Sequence, residues 1–332
     1  MLSTSEIAKA AEIIRDGGLV AFPTETVYGL GADATQDSAV LKIFEAKDRP
    51  SDNPLIVHFA SLQHVLQYFP GLKDEELSLL EKIKNALTIV LPFNDGCGIS
   101  KHVCAGGNTI AIRIPKSGIA KKLIKQAGVP IAAPSANISG RPSSTDAEAV
   151  YRDLNGRIDA LINGKSSDIG IESTVIKVDT NKVVVLRLGG TSISELQKVT
   201  TLPVLVSTNV QDTVASPGTR YKHYSPNIPV KVFNKGQQLT TLVHATEETS
   251  VYALGMFNVR PWEIELDNSR ISVVMVGLGV GAKEIGRNLF RKIRDAEEYL
   301  ADKPNPIILI EELPQGQKYD AIRERIERMT AE

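Results

Sequence analysis

Apolar side chains at Ile7, Ala10, Ala11 and Ile14 recur with helical spacing and predict a helix over 5–16. Gly17-Gly18 stops it. Leu19-Val20-Ala21-Phe22 then runs apolar without a break, a short buried strand ending at Pro23. The same periodicities predict helices at 38–47 (capped by Asp37 or Ser38), 61–68, 74–85, 119–127 and 144–154. Strands are predicted at 55–59, 87–91, 109–114, 131–133 and 160–162, with 174–178 and 183–188 as a pair. Helices and strands mix without a strict strand–helix–strand rhythm, so the sheet should be mixed.

The pattern changes at Val204 to Asn227, which is rich in Ser, Thr and Pro and reads as a linker. A shorter rhythm follows, with strands at 229–233, 250–254, 271–276 and 306–310 and helices at 281–300 and 318–330. That alternation predicts a small parallel sheet. A chain of 332 residues fits two domains. The expected division is 1–203, a linker at 204–228, and 229–332.

Composition narrows the class. Lys plus Arg is 38 against 39 Asp plus Glu, so no global basic field exists to coat a nucleic acid, although a local anion site is still allowed. Cys97 and Cys104 are too few for a disulfide framework and read as reduced thiols. The run Ile271 to Val276 is too short to span a bilayer, and Met1 to Arg15 lacks the layout of a secretory signal. A cytoplasmic chain with no membrane partner is expected.

Polar residues cluster in a few places. Thr24, Glu25 and Thr26 follow the end of a strand, where α/β sheets tend to bind ligands; a plain turn with Gly29 and Gly31 at positive φ is the alternative. Lys47 and Arg49 leave a helix C-terminus together, and two cations so close repel unless an anion lies between them. At about 4 Å and intermediate dielectric each would contribute roughly 4 kcal/mol against a unit negative charge. Helix-dipole compensation needs only one of them. Ser135, Asn137, Ser139 and Ser143 crowd donors onto one loop around Gly140, a surface suited to phosphate or a nucleoside. Glu172-Ser173-Thr174-Val175 and Arg187 before Gly189-Gly190 each put a polar group at a strand edge. His58, Tyr28 and Tyr151 read on pattern alone as packing residues. Gly277 to Ala282 fits a variant dinucleotide fingerprint, but its acidic partners Glu297 and Glu298 fall in a predicted helix.

Taken together, these segments resemble the YrdC-like threonylcarbamoyl-AMP synthases in their two-domain form. The resemblance rests on FPTETVYGLGADA at 22–34, KxRPxDNPL at 47–55, AxRxP at 111–115, PIAAPSANISGxPS at 130–143, ESTV at 172–175 and LRxGG at 186–190. SPGTRYKHYSP at 216–226 and Gly286-Arg287-Asn288-Leu289-Phe290 match the longer form. Three stretches depart from the family's usual runs: Ile83 to Ala86, Cys104 to Thr109 and Pro115 to Gly118.

The resemblance implies an open twisted α/β sheet with a basic concave cavity, and a small C-terminal Rossmann-like domain. It implies that L-threonine lies near Thr24, His58, Arg113, Ser173 and the backbone of Ala133. It places ATP near Lys47, Ser51, Thr109, Ser135, Asn137, Ser143 and Arg187, with Tyr221 and His223 of the linker closing over it. Lys47 and Arg49 are the expected catalytic pair. Bicarbonate is the third substrate. Mg²⁺ is expected on the phosphates, with no side-chain ligand. The product would pass to a threonylcarbamoyl transferase complex, so tRNA is an indirect partner. Two competitors remain: an RNA-binding module using the basic cavity, and a nicotinamide-dependent oxidoreductase using Gly277 to Ala282.

Overall fold

The computed structural model describes residues 1–83, 85–208, 223–235, 248–258, 260–266 and 270–330. The chain divides into two compact units, Met1–Ser139 with Ser143–Tyr221, and Gly140–Pro142 with Lys222–Glu332.

The first unit is built on strands β1 (Leu2–Ser3), β2 (Val20–Pro23), β3 (Tyr28–Asp33), β4 (Ile56–His58), β5 (Leu87–Pro92) and β6 (Thr109–Arg113). It continues with β7 (Ile131–Ala132), β8 (Ala160–Asn163), β9 (Thr174–Val178), β10 (Val183–Arg187) and β11 (Val204–Val206). Among the described residues they form one sheet in the order β1-β8-β2-β3-β7-β4-β6-β5-β9-β10-β11. It is mixed as expected: β4 runs parallel to β6 and β5 to β9, while β5/β6 and β9/β10 are antiparallel.

Strand alternation sorts the side chains onto two faces. On one face Val57, Ile89, Ile112 and Ile176 join the main core. Helices α2 (Asp37–Lys47), α3 (Leu62–Tyr68), α4 (Asp74–Lys82), α6 (Ala147–Leu154) and α7 (Ile193–Gln197) contribute Ile43, Val65, Leu79, Val150 and Leu196 to that core. On the other face α1 (Ile7–Arg15) and α5 (Gly118–Ala127) cover Val20, Phe22 and Ile131. Farther along that second face lie Ile56, Val90, Ala111, Val175, Val184 and Leu186. His58, Thr88, Arg113 and Ser173 are two residues from Ile56, Val90, Ala111 and Val175, so the pleat turns them to the same side.

Several local expectations are corrected. Gly29 and Gly31 do not form a turn but lie inside β3. A Cβ on Gly31 would come within 2.7 Å of the Phe22 ring and 2.8 Å of Ile131, so close packing requires the glycine. The helix from Asp74 ends at Lys82, short of residue 85. The helix expected from Ser144 begins at Ala147, capped by the Asp146 side chain, while the Ser144 carbonyl accepts from Tyr28 N. Val204–Val206, assigned to the linker by the composition that follows, pairs with β10 because a Val-Leu-Val run fits an edge strand. Residues 209–222 of the expected linker, including Tyr221, lie outside the described residues.

In the second unit β12 (Val230–Phe233), β16 (Ile307–Glu311), β13 (Thr249–Gly255) and β15 (Ile271–Gly277) are parallel. β14 (Trp262–Leu266) adds an antiparallel edge that was not predicted from the sequence; its Trp-Glu-Ile-Glu-Leu run alternates, but it is only five residues long and exposed from Trp262 to Glu265. Helix α8 (Ala282–Leu300) buries Ile285, Leu289, Phe290 and Ile293, and α9 (Gln317–Thr330) buries Ile322 and Ile326. Within this unit Arg294 Nη2 donates to Pro142 O at 2.5 Å, and Arg141 pairs with Glu297 at 2.7 Å. Gly140–Pro142 thus pack with α8 inside this unit.

The glycine loop before α8 is already filled. Val280 N donates to Glu284 Oε2 at 3.1 Å, and a Cβ on Gly277 would stand 2.2 Å from Phe257 O. A pyrophosphate at this helix N-terminus would meet the Glu284 carboxylate.

Candidate active site

Three groups of polar side chains take shape in the first unit. The first lies where β4 and β6 run side by side, with His58 opposite Arg113. Arg113 Nη2 pairs with Glu25 Oε1 at 2.6 Å, and the two side chains are only 5% and 4% exposed. The second Glu25 oxygen accepts from Ser117 N at 3.1 Å. Burial alone would raise the Glu25 carboxyl, but Arg113 and the backbone N–H overcome it and hold the group near 2. Arg113 Nε is buried and, among the described residues, has no hydrogen-bond partner. His58 is buried against the edge of Phe22, with Nδ1 at 3.2 Å from Ile56 O. Burial first, and then the Arg113 charge, push its pKa down to about 3, so the imidazole is neutral at physiological pH.

The second group joins β5, β9 and β10. Thr88 Oγ1 and Ser173 Oγ are 2.7 Å apart. Arg187 Nη2 donates to Ser173 O at 2.7 Å. A β-bulge between Val185 and Arg187 sets Arg187 opposite Val175. That extra residue turns the guanidinium to the Ser173 side. Gly189 permits this approach, since a Cβ there would fall 2.3 Å from the Ser173 carbonyl carbon and 2.4 Å from Thr174 N.

The third group surrounds the Ser/Asn loop. Lys47, 1% exposed, donates from Nζ to Ser135 O at 2.5 Å and to Asn137 O. Ser139 N in turn donates to Lys47 O at 2.8 Å. Ser143 Oγ donates to Glu172 Oε1 at 2.6 Å. Arg49 bends the other way, donating to Asn53 O at 3.1 Å and Pro54 O at 2.8 Å. Asp48 between them is left-handed, with φ 51°. The repulsion argued from sequence is thus relieved by carbonyl oxygens, a different set for each cation, and does not itself demand an anion.

The remaining expected residues are placed as follows. Thr24 is buried, and its hydroxyl donates to Val27 O at 2.6 Å. Ala133 N donates to Ile56 O at 2.8 Å, which sets its backbone beside β4. Thr109 opens β6 opposite Pro92. Ser51 is exposed and lines a cavity of about 380 Å³ with Phe44, Phe93, Lys101 and His102. His223, in the second unit, is buried and its ring lies 5.7 Å from that of Tyr224. Sequence reasoning missed Thr88 and did not foresee Glu25 and Glu172 as partners of Arg113 and Ser143. Glu25 stood out only as the carboxylate of the Thr24–Thr26 cluster, with nothing to mark its partner.

The family model described as telomere recombination (Sua5/YciO/YrdC) matches residues 12–189. The chain belongs to this family. A second model, the threonylcarbamoyl-AMP synthase C-terminal domain, matches residues 191–331, which places the chain in the two-domain Sua5 form. The threonylcarbamoyl-AMP synthase of Bacillus subtilis (strain 168) is 44% identical over 237 residues, covering 70% of this chain and 68% of that protein. The synthase of Pyrococcus abyssi is 40% identical over 303 residues, 87% of this chain and 84% of that one. The crystal structure of P. abyssi Sua5 complexed with L-threonine superposes with a TM-score of 0.83 at 34% identity, covering 99% of this chain and 96% of that one. Among the described residues no helix is long and apolar enough to cross a membrane.

Proposed function

We propose that this Sua5-family chain is a threonylcarbamoyl-AMP synthase, converting L-threonine, bicarbonate and ATP to threonylcarbamoyl-AMP, pyrophosphate and water. The observation that carries the reading is Arg113, a buried guanidinium with an unpartnered Nε–H beside an uncharged imidazole. Such a group suits a small carboxylate, and L-threonine supplies one.

The reaction has two steps. The threonine amine takes up bicarbonate-derived CO₂ to give a carbamate, releasing water. A carbamate oxygen then attacks the α-phosphorus of ATP, and the bond to the pyrophosphate oxygen breaks. Neither step needs a protein nucleophile. Both need fixed charge, aligned donors and a dry site for a labile intermediate. Arg113 is assigned to the threonine carboxylate, with Thr24, His58, Ser173 and the Ala133 backbone around the rest of the amino acid. Lys47, Arg49 and Arg187 are assigned to the phosphates, and Ser51, Thr109, Ser135, Asn137 and Ser143 to the nucleotide. Lys47 already grips the carbonyls of the Ser/Asn loop, so phosphate binding there would act on a pre-shaped loop. The side chains beside it are hydroxyl and amide groups, which suit phosphoryl oxygens; Mg²⁺ is then expected on the phosphates and water.

In this reading residues 1–203 with β11 carry the chemistry. The protein acts in the cytoplasm and hands its product to a threonylcarbamoyl transferase complex acting on tRNA. Calorimetry with L-threonine, L-serine, ATP and AMP tests the assignment. Saturable binding of threonine and ATP supports it; binding of neither overturns it.

A further inference from the structure

Glu25 is held from several sides. Its carbonyl accepts from Ile169 N at 2.9 Å, and one carboxylate oxygen from Ser117 N at 3.1 Å. Ser117 is itself fixed, donating from Oγ to Pro23 O at 3.0 Å while capping α5 through Ala120 N at 3.3 Å. The carboxylate is therefore anchored to the end of β2 and the start of α5 before it meets Arg113. Its other oxygen takes Arg113 Nη2 at 2.6 Å. A guanidinium is planar, so pinning one edge sets the direction of its remaining N–H groups. The Nε–H, which has no partner among the described residues, is such a group. The Arg113 charge is also offset in place by the Glu25 carboxylate, so it is not an isolated buried cation.

We infer that Glu25 is a positioning residue, which fixes the Arg113 guanidinium so that its unpartnered Nε–H meets the carboxylate of the amino-acid substrate. The inference rests on the reading of Arg113 as the carboxylate receptor. Glu25 does not touch substrate in this scheme. It makes recognition depend on the direction of a hydrogen bond rather than on bare charge, and a ligand without the carboxylate does not sense it.

The test is calorimetric binding of L-threonine and L-threoninol, in which the carboxylate is replaced by a hydroxymethyl group, to the wild type, Glu25→Ala, Glu25→Gln and Arg113→Ala. Glu25→Ala should weaken L-threonine by about 10-fold or more, the scale of a misaligned binding group. Glu25→Gln keeps an acceptor oxygen at the same reach and should recover most of that loss. L-threoninol should bind the wild type and both Glu25 variants alike, and ATP affinity should stay within about 2-fold. Equal weakening of both ligands, or no change in either, overturns the inference. Should Glu25→Ala not fold, Glu25→Asp, which withdraws the carboxylate by one methylene, carries the same comparison. Arg113→Ala separates the two claims. If it leaves L-threonine affinity unchanged, the carboxylate reading itself fails; if it weakens L-threonine while the Glu25 variants do not, only the positioning role fails.

Discussion

Between pH 7.5 and 4.5 an unfolded His58 takes up a proton that the folded one refuses. The ring is 3% exposed, packed on Phe22 and paired in register with Arg113. Its pKa falls from 6.5 to about 3, by burial and then by Arg113, against the smaller pull of Glu25. The sign follows from linkage. Above 6.5 both states are neutral and the group does not affect stability. Below 6.5 the unfolded state gains protons and stability falls by about 1.4 kcal/mol per pH unit until the folded pKa is reached. Between pH 6.5 and 4.5 the loss is then about 2.5 kcal/mol. The perturbation is His58→Asn, and the quantity is the wild-type minus variant difference, in which every other titration common to both cancels. Trp262, the chain's single Trp, lies in the second unit, so its fluorescence would report the wrong transition. Native-state hydrogen exchange of peptides covering β4 and β6 follows the first unit instead. A difference flat to within about 0.5 kcal/mol over that range would refute the reasoning, because it would mean that folded His58 accepts a proton beside Arg113.

Other outcomes follow from the same contacts. Lys47→Met keeps the buried stem but removes the donor to Ser135 O and Asn137 O; turnover should fall by roughly 100-fold or more, the scale of one lost preorganised donor, measured as steady-state product formation. Gly189→Ala places a methyl group against the Ser173–Thr174 peptide and should destabilise the first unit by about 1–3 kcal/mol, seen in the same exchange experiment. NAD(H) should give no thermal shift, since Glu284 occupies the loop a dinucleotide would need, and a clear shift would reopen that function. RNA affinity should be weak and should not show the steep salt slope of a phosphate-tracking surface.

The helices and most strands were legible because apolar spacing alone specifies a buried face, as in Ile7, Ala10, Ala11 and Ile14 of α1. The missed elements have separate causes. β3 contains Gly29 and Gly31, whose strand conformation is imposed by Phe22 and Ile131 rather than by local preference. β14 alternates as Trp-Glu-Ile-Glu-Leu, but the run is short and Trp262 and Ile264 face solvent, so it lacks the buried apolar stretch of its neighbours. The site divides in the same way. Cations and hydroxyls were visible as residue types, and their motifs as a resemblance. Which atoms they bond was not, because partners come from distant sequence: Lys47 with Ser135, Arg113 with Glu25, Ser143 with Glu172. The bulge that re-aims Arg187 is a register effect between two strands and leaves no mark in either alone.

The central claim is adenylylation of a carbamate made from threonine, and pyrophosphate release from ATP tests it most directly. Release is expected only when L-threonine and bicarbonate are both present, with a matching amount of threonylcarbamoyl-AMP. Release at the same rate with either one omitted would contradict it.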